Sequence, residues 1–91
     1  MFKNIKEVEQ AVVKILEGIQ EGKVNRTDFN DIIPDNIEFY DAAEYADKHN
    51  YFTDIRCSNT YRLRVFEPEN NLNVYPRVSP EGLAFLETHK E

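Results

Sequence analysis

The spacing of apolar residues changes once along this chain, and that change constrains the fold more than any other feature. Before Asn50 the apolar positions recur every three or four residues, which is typical of amphipathic helices. After Asn50 they alternate with polar positions, which is typical of half-buried strands. The sequence therefore predicts helices followed by a small antiparallel sheet, in one α+β domain that spans residues 1–91.

The first two helices are predicted from their caps and apolar positions. Residues 4–21 form a helix with Asn4 as the N-cap, and Gly22 ends it. A shorter helix is expected within residues 23–34, where Thr27 is a candidate cap and the apolar residues point inward.

The third helix is predicted over residues 36–49, with Asp35 as its N-cap. At 100° per residue its apolar positions make a narrow stripe composed of Phe39, Ala42, Ala43 and Ala46. The opposite side carries a fan of four acids, which are Glu38, Asp41, Glu44 and Asp47. Tyr40 falls at the edge of this fan, so we expect it to be an exposed aromatic that suits a protein interface.

Three strands are expected over residues 51–57, 60–66 and 72–78, with a two-residue turn at 58–59 and a loop at 67–71. A last helix begins at Ser79-Pro80-Glu81, a cap followed by proline and an acid, and is expected to fray from Thr88 onward. Three helices followed by a hairpin are how a winged helix-turn-helix is built. The second and third helices then form the turn motif, and the hairpin forms the wing.

Three stretches resemble the YjcQ-like winged-helix proteins of bacteria and their prophages. They are residues 14–19, residues 35–51 and residues 78–87, the last of which contains the pattern Ser79-x-x-Gly82-x-x-Phe85-Leu86. The resemblance covers about three-quarters of the chain, and it implies a winged-helix fold with no catalytic residues to carry over. The segment 58–73 departs from the family pattern because the wing is longer.

The charge of the chain argues against the usual way in which a winged helix binds DNA. Its net charge is −6, and residues 1–50 hold six basic and eleven acidic side chains. If the third helix entered the major groove, it would bring four carboxylates close to the phosphates. The acid fan is either a solvated helix face or a docking surface for a basic protein, which would make the chain an imitation of DNA.

The cations of the sheet allow a second kind of surface. They are all arginines, and Tyr75 lies near them in the pattern: Arg56, Arg62, Arg64 and Arg77. One interpretation is that these long side chains only cover the outer face of an exposed sheet. The other is that they bind an acidic partner or contact nucleic acid through the wing.

The sequence gives no reason to expect an enzyme, a cofactor or a metal site. His49 and His89 stand forty residues apart without a ligand-like spacing, and Cys57 is expected to be a small buried apolar residue. A lone cysteine and the absence of any long apolar run predict a cytoplasmic protein that does not bind membranes.

We therefore expect a non-enzymatic protein-binding module of bacterial or prophage origin. The alternative is a transcriptional regulator that contacts DNA through the arginine-bearing wing. A third hypothesis is a homodimer in which the arginines of one chain meet the acidic helix of another.

Overall fold

The computed structural model describes residues 2–60, 62–69 and 75–89, and these residues form an α+β fold with the predicted order of helices and strands. The elements are α1 (Ile5–Gln20), a 3₁₀ helix (Arg26–Phe29), α2 (Asn36–Lys48), β1 (Phe52–Thr53), β2 (Ile55–Asn59), β3 (Arg64–Pro68), β4 (Arg77–Val78) and α3 (Pro80–Thr88). Two antiparallel ladders form, one between β1 and β4 and one between β2 and β3. The predicted single sheet is therefore divided into two pairs of strands.

The predicted starts of α1 and α2 are confirmed by their caps. The side chain of Asn4 accepts a hydrogen bond from the backbone N–H of Glu7 at 3.0 Å. Asp35 accepts from two N–H groups in the first turn of α2, at 2.9 and 3.1 Å. Each cap satisfies amide groups that have no partner within the helix, so both helices begin where the sequence indicates.

The predicted second helix is wrong in length and in its cap. Within 23–34 only one 3₁₀ turn forms, and it begins after Asn25 rather than Thr27. The carboxylate of Asp28 accepts from the amide of Asn25 at 3.2 Å, and the carbonyl of Phe29 accepts from two later amides at 3.0 and 2.8 Å. With these hydrogen bonds the helix ends after one turn instead of continuing. Phe29 and Ile33 are nevertheless buried, as predicted.

The 3₁₀ helix is fixed against its neighbours by close packing. A Cβ atom on Gly18 of α1 would lie 2.4 Å from the ring of Phe29, so only glycine leaves room for this aromatic side chain. The guanidinium of Arg26 lies 4.4 Å from the centre of the Phe39 ring and donates to the side chain of Asn36 at 2.9 Å. The turn therefore holds α1 and the beginning of α2 together.

The change of apolar spacing at Asn50 coincides with a sharp reversal at the end of α2. Asn50 takes a left-handed φ of 58°, and the amide of Tyr51 returns to the carbonyl of Ala46 at 2.9 Å. Four residues later Asp54 also has a positive φ, 64°, and it separates β1 from β2. Asparagine and aspartate tolerate this conformation better than other side chains that carry a Cβ, so both residues can bend the chain here.

The predicted boundaries in the sheet are wrong in detail. Ser58 and Asn59 belong to β2, and the chain reverses between Thr60 and Leu63, whose backbones exchange hydrogen bonds of 2.9 and 3.2 Å. Because the turn lies further along, β3 runs on into the predicted loop and ends at Pro68. Of the predicted third strand, only Arg77–Val78 is observed as β4, and residues 72–74 lie outside the described residues.

The start of α3 docks against the segment that follows α2. Ser79 is buried, caps α3 through Gly82 N–H, and donates its hydroxyl to the carbonyl of Asn50. A Cβ on Gly82 would lie 2.0 Å from the carbonyl oxygen of Tyr51, and the rings of Tyr51 and Phe85 are 4.7 Å apart. The pattern Ser79-x-x-Gly82-x-x-Phe85 is therefore explained by docking of this helix.

The predicted fraying does not begin at Thr88, and residues 90–91 of that prediction lie outside the described residues. Thr88 belongs to the helix, and His89 stacks on Phe85 with ring centres 4.1 Å apart.

A buried aromatic cluster joins the 3₁₀ helix, α2, β1 and β3. Its rings lie between 5.0 and 5.9 Å apart, and its members are Phe29, Phe39, Phe52 and Phe66.

Candidate functional site

Four carboxylates follow the outer side of α2, and we call them the acidic face: Glu38, Asp41, Glu44 and Asp47. The predicted stripe on the other side is confirmed, because Phe39 and the three alanines have no exposed surface. Ile37 lies between the acids with 49% of its surface exposed, and the amine of Lys48 lies 3.6 Å from the carboxylate of Glu44. The acidic face therefore includes one exposed apolar side chain, and Lys48 partly neutralises the charge of one of its carboxylates.

Tyr40 does not belong to this surface, so the prediction of an exposed aromatic is wrong. Only 7% of Tyr40 is exposed, and its ring meets Phe39 edge to face at 5.2 Å. The helical wheel missed this because it assumes one buried side, whereas α2 packs against α1 on one flank and against β2 and β3 on the other. The buried arc is therefore wider than the alanine stripe.

The hairpin formed by β2 and β3 is hydrogen-bonded to the acidic face through one amide side chain. Asn59 donates from Nδ2 to Asp41 Oδ1 at 2.9 Å, and its Oδ1 accepts from Arg64 Nε at 3.3 Å. The amide group of Asn59 therefore lies between a carboxylate and a guanidinium, and both of its polar ends are used. Sequence reasoning missed this link because it placed Asn59 in a turn.

The predicted arginine surface is divided between the two ladders. Arg56 lies opposite Glu67 in the register, with its guanidinium 3.7 Å from that carboxylate, and both are exposed. Arg62 is exposed in the turn of the hairpin, and the guanidinium of Arg64 donates a hydrogen bond to the side chain of Asn59. Arg77 lies on β4 instead.

Tyr75 is the most exposed of the large hydrophobic residues in the described part of the chain, at 81%. It lies two residues before Arg77, outside any strand. Arg77 pairs with Thr53 in the β1–β4 ladder and Tyr75 precedes that ladder, so the structure does not bring these two residues into the hairpin with the other arginines.

An open pocket of about 360 Å³ lies between the start of α1 and the end of α2. Phe2, Ile5 and Val8 supply apolar surface, and Asp41 and Glu44 of the acidic face stand at its edge. The polar end of α2 completes the lining of the pocket with Tyr45, Lys48 and His49. The pocket therefore combines an apolar wall with two carboxylates.

The apolar stripe of α1 predicts that Ile5 and Val8 are buried, and Val8 does pack against the core. Ile5 continues the apolar stripe of α1, yet 56% of its surface is exposed, because the polar end of α2 faces it. His49 lies at the end of α2 as expected, with Nδ1 3.0 Å from the carbonyl of Tyr45 and its ring stacked on that residue at 4.2 Å. Which apolar residues line the pocket depends on how the two helices are offset, and no local pattern encodes that offset.

Cys57 lies half-buried on β2, beside the acidic face. Burial raises the pKa of its thiol to about 12, and the negative charges of Asp47 and Glu44 act in the same direction. The pKa of Asp47 is itself raised, first by partial burial and then by Glu44. At neutral pH the sulfur therefore stays protonated and is a poor nucleophile.

His89 lies far from this site, between α3 and α1. Its Nδ1 is 2.9 Å from the carbonyl of Phe85, and its Nε2 is 2.7 Å from Glu9 Oε2. The hydrogen bond to the Phe85 carbonyl is the main cause that raises the pKa of His89, and the Glu9 carboxylate adds to it against the opposing effect of burial. In the described ranges no three side chains of the His, Cys, Asp or Glu type are grouped so that they could hold a metal ion.

Comparison of the chain with protein-family models, with curated proteins and with solved structures finds no match. No helix among the described residues is long and apolar enough to cross a membrane.

Proposed function

We propose that this chain is a non-enzymatic, cytoplasmic winged-helix module of bacterial or prophage origin that docks a basic protein on α2. In this arrangement α1, the 3₁₀ helix and α2 are the helical unit, and β2 and β3 are the wing. The order of the elements and the stretches that resemble YjcQ-like proteins support the winged-helix assignment. The short 3₁₀ helix occupies the place of the second helix.

The pocket beside the acidic face carries the proposal. Lysine and arginine have an aliphatic stem and a charged head, so they fit a pocket with an apolar wall and carboxylates at its edge. Ile5 and Val8 would contact the stem, and Asp41 and Glu44 would receive the head. A volume of about 360 Å³ is enough for one such side chain, which favours a single cationic anchor on the partner.

The same geometry disfavours α2 as a reader of DNA. Asp41 and Glu44 remain outside the core, and Lys48 at the end of the helix is already paired with Glu44. Contacts to phosphate require donors, whereas this side of the helix presents acceptors.

We expect an arginine-rich peptide to bind at low salt and to shift the amide NMR signals around Ile5, Asp41 and Glu44. Glu44→Gln removes one charge at nearly constant volume, so the affinity should fall about threefold to tenfold, a difference that added salt diminishes. Ile5→Ala should also weaken binding by removing part of the apolar wall, and the exposed position of Ile5 makes this variant compatible with folding. NMR titration at two ionic strengths measures both effects.

Glu81→Gln is the matched control, since it removes the same charge from an exposed position on α3 and should leave binding unchanged. Equal weakening by Glu44→Gln and Glu81→Gln would mean that only the net charge attracts the peptide. That result, or signal shifts confined to the hairpin, would contradict the docking site.

A nucleic-acid-binding regulator remains the second candidate, and the exposure of Tyr75 favours it. An exposed tyrosine close to Arg77, together with the exposed Arg62 in the turn of the hairpin, is a combination that can stack on bases and contact phosphate. Retention on heparin and a salt-sensitive shift of duplex DNA, both lost in Arg62→Glu/Arg77→Glu, would support this candidate over the first. Passage through heparin without retention favours the protein-binding module.

A further inference from the structure

A second groove lies on the other side of α1, between that helix and α3. Its volume is about 790 Å³, and it is separate from the pocket beside the acidic face. Leu83, with 46% of its surface exposed, and Leu86 lie on the α3 side, and Val13 lies on the α1 side. Val13 and Leu86 are half-buried against the core, so Leu83 is the apolar side chain that is most accessible in this groove.

The groove carries only a small part of the charge of −6: with His89 counted as neutral, as in that total, its lining holds two lysines and three glutamates. Lys6 and Lys14 stand against Glu17 and Glu87, while Glu9 is hydrogen-bonded to His89. In the described part of the chain Lys6 and Glu17 make no ion pair, and both are exposed. Two copies of an acidic protein repel each other over most of their surface, so they can approach most easily at a face of mixed charge such as this one.

The spacing on α1 suits an antiparallel copy of the same helix. Besides Glu9 and Lys14, the α1 residues that line the groove follow steps of four and three, in the order Lys6, Gln10, Val13, Glu17 and Gln20. This is the 3.5-residue period of helices that pack along their length. When a second α1 runs antiparallel so that Gln10 faces Val13 of the other copy, Lys6 faces Glu17 of the other copy. The twofold symmetry then makes each contact twice.

We propose that the α1–α3 groove is a self-association surface, in which α1 pairs antiparallel with α1 of a second copy. The two Lys6–Glu17 contacts set the register, and Val13, Leu83 and Leu86 supply the apolar area. Since the seam is largely polar, the dimer belongs to the weak, concentration-dependent class. It leaves the acidic face and its pocket free, so it does not depend on the proposed function.

Sedimentation equilibrium with charge-reversed variants tests this proposal. Wild-type protein should pass from monomer to dimer as its concentration rises to about 1 mM, a range in which even weak association is populated. Lys6→Glu and Glu17→Lys each replace two attractive contacts with two repulsive ones, so each should weaken the dimer about tenfold or more. The double variant Lys6→Glu/Glu17→Lys restores opposite charges across the interface and should recover most of the wild-type association.

Arg62→Glu is the control, because it makes the same charge change at the tip of the hairpin. Circular dichroism should report an intact fold for every variant, since Lys6 and Glu17 are exposed. A monomer at all concentrations would overturn the proposal. So would a double variant no better than the single ones, or loss of the dimer in Arg62→Glu, which would locate self-association at the arginines instead.

Discussion

At the scale of single residues, two glycines and a serine determine how closely the helices approach their neighbours. Gly18 makes room for the ring of Phe29, and Gly82 lets the start of α3 lie against the carbonyl of Tyr51. The hydroxyl of Ser79 accepts a hydrogen bond from the N–H of Gly82 in the first turn of α3 and donates one to the carbonyl of Asn50. These three residues thus have a packing role, and the candidate docking residues lie elsewhere.

Gly82→Ala should destabilise the fold although alanine is the better helix former. The added methyl group overlaps a backbone carbonyl, which cannot move aside as a flexible side chain can, so α3 must shift. We expect the free energy of unfolding to fall by about 1–3 kcal/mol, the usual cost of overpacking. Urea denaturation measures it, and Thr88→Ala at the exposed end of α3 should change stability by less than about 0.5 kcal/mol. Unchanged stability in Gly82→Ala would mean that α3 docks less closely.

At the scale of elements, the hairpin and α2 form one surface because their side chains meet. The sequence pattern assigns Asp41 to the acid fan of the helix and Arg64 to the arginines of the sheet, as two separate surfaces. Asn59 joins them, so the position of the hairpin depends on the same acidic face that lines the pocket. A partner that neutralises Asp41 would therefore also affect how the hairpin is held.

Asn59→Ala should loosen the outer end of the hairpin while leaving the rest of the fold in place. Both side-chain hydrogen bonds are lost, and they are partly exposed, so we expect a cost of about 1 kcal/mol. Hydrogen exchange should accelerate at the amides near Thr60 and Leu63 but not in the aromatic cluster. Ser58→Ala, on the other face of the same strand, is the control. Exchange that is equally fast in both variants would rule out a specific role for Asn59.

At the scale of the whole molecule, a side-chain contact between His89 and Glu9 adds to the packing of the last helix against the first. His89 follows α3 and Glu9 lies on α1, eighty residues earlier, so their contact joins the last helix to the first. The same contact borders the proposed self-association groove. Its strength depends on protonation of the imidazole.

Stability should therefore depend on pH through His89. Its pKa is raised in the folded state, so protonation stabilises the fold. This contribution is fully present below about pH 6.5, the ordinary pKa of histidine, and is lost as pH rises through the raised pKa. Measured between about pH 5 and 8, the difference in unfolding free energy between wild type and His89→Gln should shrink with increasing pH.

Glu9→Gln is the companion variant, because it removes the carboxylate next to His89 Nε2 and leaves the Phe85 carbonyl in place. The contribution of His89 should then depend less on pH than in wild type without losing its dependence altogether. A difference between wild type and His89→Gln that does not change with pH would contradict the raised pKa of His89. The free energies of unfolding are measured at low protein concentration, so that self-association does not contribute to them.

The candidate site was only partly predictable. The acids of α2 follow from helical spacing, and three of the five residues expected on that helix, Asp41, Glu44 and Asp47, lie beside the pocket or β2. Tyr40 was misplaced because a helix with neighbours on two flanks buries more than its apolar stripe. Ile5 and Asn59 were missed because their surroundings come from segments distant in the sequence.

The sequence by itself determined the features that depend on local interactions. Caps at Asn4, Asp35 and Ser79 satisfy nearby amides, and the apolar period distinguishes helix from strand, so the α+β order can be derived without coordinates. Only the tertiary structure decided which surfaces meet: the division of the sheet at Asp54, the pocket at Ile5 and the contact of His89 with Glu9. These features depend on the offsets between packed elements, and such offsets are set by the summed fit of many side chains rather than by a periodic pattern.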